Sequence, residues 1–307
     1  MPSNMYWAYG LSIHSDIPCP ELPPHPRPTK DADVTVRLLQ PVAQVAETLE
    51  NGHYEVRPGV FRLAVPGVAN YRVEQGQTIW IEPQDEASRD EVRLFLLGSS
   101  MGALLYQRGL FPLHGSAVET KWGAMVFVGA QGSGKSTLAA HFHGKGYRLL
   151  SDDVCAVAAS EAGFQILPAL AQVRLCADAY ERLGTPEGAR FDVDKYVVPI
   201  GEGYCADPVP LRVVHVLCDE ASETPKFEVL RGFDRIQQLL ENLYRPHYLK
   251  GQGTQTDLMR LAGQIAHGVD VVAVKRRPDV SAIESLVGFL ESTWAEHYDA
   301  GLSEERT

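Results

Sequence analysis

Residues 129–136, GAQGSGKS, constrain this chain more than any other stretch. They fit the pattern GxxxxGK[ST], which requires a buried strand before the glycines and a helix after them. Both flanks are present: AMVFV at 124–128 reads as a strand, and 135–143 reads as a helix closed by Gly144 or Gly146. In such a loop the backbone amides and the helix N-terminus together form an anion site. The expected nucleotide contacts are therefore Gly129, Gln131, Gly132, Ser133, Gly134, Lys135, Ser136 and Thr137. Lys135 adds charge at the β and γ phosphates, and the Ser136 hydroxyl is a ligand for Mg²⁺. The plain alternative, a glycine-rich turn in an α/β domain, does not by itself account for both flanks.

A short strand, Tyr147–Leu150, then leads into Asp152-Asp153. Many P-loop ATPases draw their metal-ligating aspartate from a more distant strand. Here the pair is close enough in sequence to sit beside the bound phosphates. Asp152 is a candidate for the metal or its water, and Asp153 for the general base that takes a proton from an attacking hydroxyl. The other reading of the pair is a cap on the segment that follows. Leu113-His114-Gly115 falls on the strand next to the loop, where a histidine is a packed structural residue or an active-site one.

The remainder of the chain sets the context. Six prolines within residues 16–32 preclude regular structure there. Around them, residues 1–84 read as β-rich, with a hairpin turn at Val73–Thr78. Ser88-Arg89-Asp90-Glu91 reads as a capping box for a helix that Gly109 can end. Segments 111–119, 211–217 and 269–275 read as strands, VCAVAASEAGFQILPALAQVRL as strands turning at Ser160–Gly163, and 233–245, 254–266 and 280–297 as helices.

A net charge of −11 argues against nucleic acid as a partner. No apolar run is long enough for a bilayer. The five cysteines are odd in number and never form CxxC, and the start of the chain lacks a secretion signal, so a cytoplasmic location is expected. His141 and His143, two residues apart on one helix, do not share a face. Arg231, Arg235 and Arg245 flank a helix and could each reach a phosphate, and the run Lys275-Arg276-Arg277 could hold a substrate carboxylate or phosphate, with a surface role the default for all of them.

The His-Gly pair, the GxxxxGKS loop and the aspartate pair, in this order and spacing, resemble the C-terminal catalytic domain of bacterial HPr kinase/phosphorylase. The resemblance is specific over 113–154 and thinner over 168–200. It implies an α/β fold: a P-loop core of the HPr-kinase type, related to PEP carboxykinase, with a β-rich N-terminal subdomain. The implied units are 1–110, the β-rich subdomain ending in a helix; 111–300, the catalytic domain; and 301–307, a frayed tail. It also implies roles: His114 as active-site histidine, Lys135 and Ser136 as nucleotide and metal residues, Asp153 as base toward an acceptor serine. Tyr180-Glu181-Arg182-Leu183-Gly184 is similar to the family's Tyr-Asp-Arg-Leu-Gly, which makes Arg182 the charge-stabilising arginine. Two features depart from the family. Gln172-Val173-Arg174 stands where the family has a metal-binding Glu, and the later P-V-R-P-G-R run is absent, with Lys195 as either its substitute or a surface lysine.

The opening YGLSIHSDIPCPEL and the approach RLFLLGSSMGALLYQRGLFPLHGSAV look like those of stand-alone HPr-kinase-like proteins that accompany gene clusters for ribosomally made peptides, lasso peptides among them. This second resemblance implies an ATP- and Mg²⁺-dependent kinase acting on a serine near the C-terminus of a precursor peptide or small protein, with a homo-oligomer left open. Two other readings stand beside it: a small-molecule kinase of the shikimate or gluconate kinase type, and a nucleotide-gated binding protein that transfers nothing. The late position of the P-loop and the hairpin strands after Asp153 count against the small-molecule kinase. The gated binder differs in predicting that Asp153 is dispensable while Lys135 is not.

Overall fold

A computed structural model of the chain describes residues 4–27, 31–40, 53–184, 188–192, 195–220, 224–249, 255–277 and 282–299. The tail at 301–307 lies outside them.

The first seven strands are β1 (Met5–Ala8), β2 (Leu11–Ser15), β3 (Val34–Leu38), β4 (Tyr54–Arg57), β5 (Val60–Val65), β6 (Ala69–Glu74) and β7 (Thr78–Pro83). They form one sheet in the order β1-β2-β3-β7-β6-β5-β4. Alternation makes this sheet one-sided: Phe61, Tyr71, Val73, Ile79 and Ile81 are buried, while Arg62, Arg72 and Trp80 point outward. The expected hairpin joins β6 to β7 through the three residues Gln75–Gln77, whose first two, Gln75 and Gly76, are at positive φ (52° and 63°). The proline-rich stretch from Asp16 to Arg27 holds no strand or helix beyond the isolated bridge Tyr6–Pro24.

Helix α1 (Arg89–Phe95) starts at the predicted capping box, with Glu91 N–H donating to Ser88 Oγ. It does not run on as one α-helix. A π-helical turn, Leu96–Ser100, separates it from α2 (Met101–Gln107). The helical face packs on the first sheet, where Tyr71 donates its hydroxyl to the Val92 carbonyl at 3.0 Å.

The second sheet carries the P-loop. Strand β8 (Phe111–Thr120) is long enough to serve three partners. Strand β9 (Gly123–Gly129) leads into the loop and then α3 (Lys135–Gly144), followed by β10 (Arg148–Ser151), β11 (Val154–Ser160), β12 (Gly163–Leu167) and β13 (Gln172–Leu175). Helix α4 (Ala177–Arg182) and strands β14 (Arg190–Asp192) and β15 (Lys195–Pro199) follow, and β13, β15 and β14 make a small separate sheet. The chain closes with β16 (Val209–Asp219), β17 (Lys226–Val229), α5 (Phe233–Glu241), α6 (Gln255–Gly268), β18 (Asp270–Arg276) and α7 (Ile283–Trp294). Strands β9, β16 and β18 run parallel, so their C-terminal ends share one edge of the sheet with the P-loop.

The core of this half is apolar on both sheet faces, as parallel strands require. Val126, Val128, Val214 and Val271 pack on one side, and Met125, Phe127, Val213 and Val272 on the other, each fully buried. Each such side chain contributes about 1.5–3 kcal/mol relative to an exposed one. His215, in the middle of β16, belongs to this core. Burial pushes its imidazole down to about 3, so it stays neutral and Nε2 accepts the Trp294 indole N–H at 2.9 Å.

Candidate active site

Strand β8 brings the site together by changing partners at its midpoint. Up to His114 it pairs with β11 (His114 opposite Val154), and from Gly115 onward with β9 (Gly115 opposite Val128). The His-Gly dipeptide therefore sits where the P-loop strand and the aspartate turn meet. Gly115 has no room for a side chain: a Cβ there would stand 2.5 Å from the Phe127 carbonyl oxygen. That close approach is a physical reason for glycine after His114.

The P-loop is shaped as an anion cradle. Gly134 caps α3 in the left-handed region (φ 78°), leaving the first-turn amides of Lys135, Ser136 and Thr137 without helical partners. Gly129 is also at positive φ (143°), and a Cβ would meet the Leu217 carbonyl at 2.8 Å. Lys135 is buried; its ammonium donates to the carbonyls of Gly129 and Ala130 at 2.9 and 3.0 Å. Burial lowers its pKa, against the opposing charge of Asp152. The Ser133 hydroxyl is buried and has no partner within the protein. An orphaned hydroxyl, a lysine and free helix-end amides around one cradle fit a polyphosphate.

The two aspartates are treated oppositely by their surroundings. Asp152 is buried, accepting the Ser116 hydroxyl at 2.5 Å on one oxygen and the Arg174 N–H at 2.8 Å on the other. Burial pushes its carboxyl pKa up, against those hydrogen bonds and one from Ser136. Asp153 has φ 71°, a left-handed conformation that costs a non-glycine residue on the order of 1 kcal/mol. Its carbonyl is held by Gly115 N–H and lies 3.1 Å from His114 Nδ1. That backbone turn points the carboxylate into the cleft, 39% exposed, with Oδ1 3.3 Å from the same Nδ1. Burial alone would raise its pKa, but the hydrogen bond and charge of His114, then Arg174 and Lys195, outweigh it and hold the carboxyl below its ordinary value. Two adjacent carboxylates pushed apart in this way can take different parts in one reaction.

The cleft in front of Asp153 has a volume of about 510 Å³. His114, Gln131, Asp152 and Asp153 line it, together with Gln172, Arg174 and Lys195. Phe95, Leu97, Gly98 and Ser99 line it as well, with Leu243, Tyr244 and Arg245. At the rim, Arg93 donates to both Glu21 oxygens (3.0 and 3.1 Å) and to Asp90 (2.6 Å), and Arg190 joins Glu21 at 2.9 Å. This network ties the proline-rich segment, α1 and β14 around one opening.

The structure thus gathers His114, Gln131, Asp152 and Asp153 at one cleft beside the P-loop residues. It does not bring Arg182 there: that residue is exposed on the last turn of α4 and is not among the cleft's lining residues. Arg245 lines the cleft instead, a residue for which the sequence offered surface pairing as the default and phosphate contact as the alternative. Arg245 has a left-handed backbone (φ 46°), and its Nε donates to the Tyr244 hydroxyl at 3.2 Å. The segment is strapped to β8 by Tyr244 N–H to Pro112 O (2.9 Å) and His114 N–H to Asn242 O (2.8 Å). Among the described residues no carboxylate lies within ion-pair distance of Arg245. The early signal for it was its place flanking a helix, just before Pro246, from which it could reach a phosphate. Lys195 and Gln172 both line the cleft.

Among the described residues no cluster of three or more His, Cys, Asp or Glu is arranged for a metal, and no helix is long and apolar enough to cross a membrane. His141 and His143 each contact a nearby backbone carbonyl, of Thr137 and Tyr147. All five cysteines are free.

No family model matches the chain, and no curated protein matches it. Solved structures do match; one is described as the structure of the Hpr(Ser) kinase/phosphatase from Coxiella burnetii. It is 11% identical, and the match covers 60% of this chain and 97% of that one with a TM-score of 0.32. A likeness that slight carries no activity from one chain to the other.

Proposed function

We propose that this protein is an ATP-dependent kinase that phosphorylates a hydroxyl, with a serine of a peptide or small protein as the acceptor. The observation that carries the reading is Asp153: an ionised carboxylate turned by a left-handed backbone into a cleft beside a P-loop, with His114 at its side.

In this mechanism the P-loop amides and Lys135 hold the β and γ phosphates of the donor. Asp153 accepts the proton of the acceptor hydroxyl as the hydroxyl oxygen bonds to the γ phosphorus and the bond to the β-phosphate oxygen breaks. His114 keeps Asp153 ionised and oriented, and Arg245 faces the charge that spreads onto the moving phosphoryl group. Asp152 and the Ser136 hydroxyl are the groups that would hold Mg²⁺, a small ion that takes one or two protein ligands alongside phosphate oxygens. When bound it neutralises developing charge on the phosphates. Ser116 and the Arg174 N–H orient the Asp152 carboxylate for that role, with the Ser136 hydroxyl beside it.

A peptide acceptor is favoured over a compact small molecule by the shape of the opening. The cleft continues into a second trough of about 550 Å³ that shares Glu21, Asp90, Arg93, Gln172 and Arg190 with it and is lined by Pro20, Pro23 and Pro24. An extended chain could lie along both. The test separates donor binding from transfer: Asp153→Asn should bind ATP and transfer nothing, while Lys135→Met should lose both. A variant at Asp153 with full function would point instead to the nucleotide-gated binder.

A further inference from the structure

Strand β18 ends at Arg276, aligned with Asp219 at the end of β16, on the sheet edge where the P-loop lies. Its side chain is almost fully buried and crosses to the loop. One Nη donates to the Ser133 carbonyl, and the other donates to the Arg277 carbonyl at 3.1 Å. Asp219 stands 3.9 Å away, and the buried Nε has no partner. A buried arginine with one distant carboxylate is an expensive arrangement, and burial lowers its pKa accordingly. What it does for the loop is specific. A phosphate cradle works only if the peptide units turn their N–H groups inward, and each inward N–H turns a carbonyl outward. Lys135 takes the outward carbonyls of Gly129 and Ala130, and Arg276 takes that of Ser133.

We infer that Arg276 is a positioning residue for the P-loop. It holds the Ser133–Gly134 peptide so that the amides at the start of α3 face the β phosphate, without itself touching the nucleotide. This rests on the P-loop binding a nucleotide but not on phosphoryl transfer. Because the loop grips phosphates shared by ATP and ADP, losing Arg276 should weaken both by the same factor.

The test is equilibrium binding of ATP and of ADP to the full chain, with Mg²⁺, for wild type, Arg276→Met, Arg276→Lys and Asp219→Asn, alongside thermal unfolding without nucleotide. The inference predicts a Kd raised about tenfold or more for both nucleotides in Arg276→Met. It predicts partial recovery in Arg276→Lys, which keeps a donor, and a smaller loss in Asp219→Asn. Should Arg276→Met not fold, the lysine and Asp219 variants carry the comparison. Unchanged Kd values with a lowered Tm would overturn the inference and leave Arg276 a purely structural residue. A loss confined to ATP would also overturn it, since the guanidinium would then be touching the γ phosphate. Wild type that binds neither nucleotide would sink the kinase reading and this inference together, an outcome distinct from the other two.

Discussion

His114 Nδ1 lies 3.3 Å from Asp153 Oδ1 and 3.1 Å from the carbonyl oxygen of the same residue. One imidazole thus fixes both the backbone turn and the carboxylate that the turn presents. Replacing His114 by Ala should leave donor binding intact and lower transfer by about tenfold to a hundredfold, because Asp153 loses its orienting partner. His114→Asn, which keeps a donor near that position, should recover part of the rate. Steady-state kinetics with ATP and the acceptor varied separately would read this: the effect belongs in kcat, with KM for ATP unchanged.

Asp153 also makes a pH prediction. Its folded pKa is lowered: burial works to raise it, but the hydrogen bond and charge of His114, followed by Arg174 and Lys195, outweigh burial. A carboxylate of this kind contributes stability that is fully present above its unfolded value, about 3.9, and lost as pH falls through the lower folded value. The Tm of wild type minus that of Asp153→Asn should therefore fall as the pH drops below about 4. Asparagine tolerates the left-handed backbone, so the variant should fold. A difference that rises on acidification would contradict the assignment.

The arginines distinguish what the family resemblance implies from what the geometry places. Arg182 is exposed on α4, whereas Arg245 lines the cleft. Arg245→Gln should lower transfer on the order of 10²–10³-fold, in the range for removing a group that stabilises transition-state charge. Arg182→Gln should change it by less than about twofold, as expected for surface substitutions. Initial rates at saturating ATP decide between them, and the opposite ranking would return the role to Arg182.

Tyr244 couples this arginine to the helical wall. A Cβ on Gly102 would stand 2.8 Å from the Tyr244 ring. Gly102→Val should destabilise the protein by about 1–3 kcal/mol through overpacking. It should also lower transfer at temperatures where the variant is folded, because displacing Tyr244 displaces Arg245. Thermal unfolding with transfer assays well below Tm would show both effects. Lost stability with full activity would uncouple the two residues.

The elements that were legible in the sequence are those whose chemistry fixes a local spacing. The P-loop with its strand and helix, the capping box at Ser88, the turn at Gln75-Gly76 and the aspartate pair all depend on neighbours within a few residues. The π-turn at Leu96–Ser100 was hidden because Val92, Leu96, Ser99 and Ala103 keep a buried helical face through the inserted residue. The small β13-β15-β14 sheet and the helix α4 next to it gave little periodicity over such short lengths. Which of Arg231, Arg235 and Arg245 reaches the cleft, and the Glu21–Arg93–Arg190 network, were illegible for a different reason: tertiary packing decides them. The Tyr106 hydroxyl that holds the Tyr244 carbonyl at 2.6 Å lies 138 residues away in the chain.

The measurement that tests the central claim most directly is intact-mass spectrometry of serine-containing peptides incubated with Mg-ATP and either wild type or Asp153→Asn. The account predicts a gain of one phosphate with wild type, absent when the acceptor serine is alanine, and no gain with Asp153→Asn even though that variant still binds ATP. An equal phosphate gain with Asp153→Asn, or none with wild type across peptides and small hydroxyl acceptors alike while ATP binding persists, would contradict it.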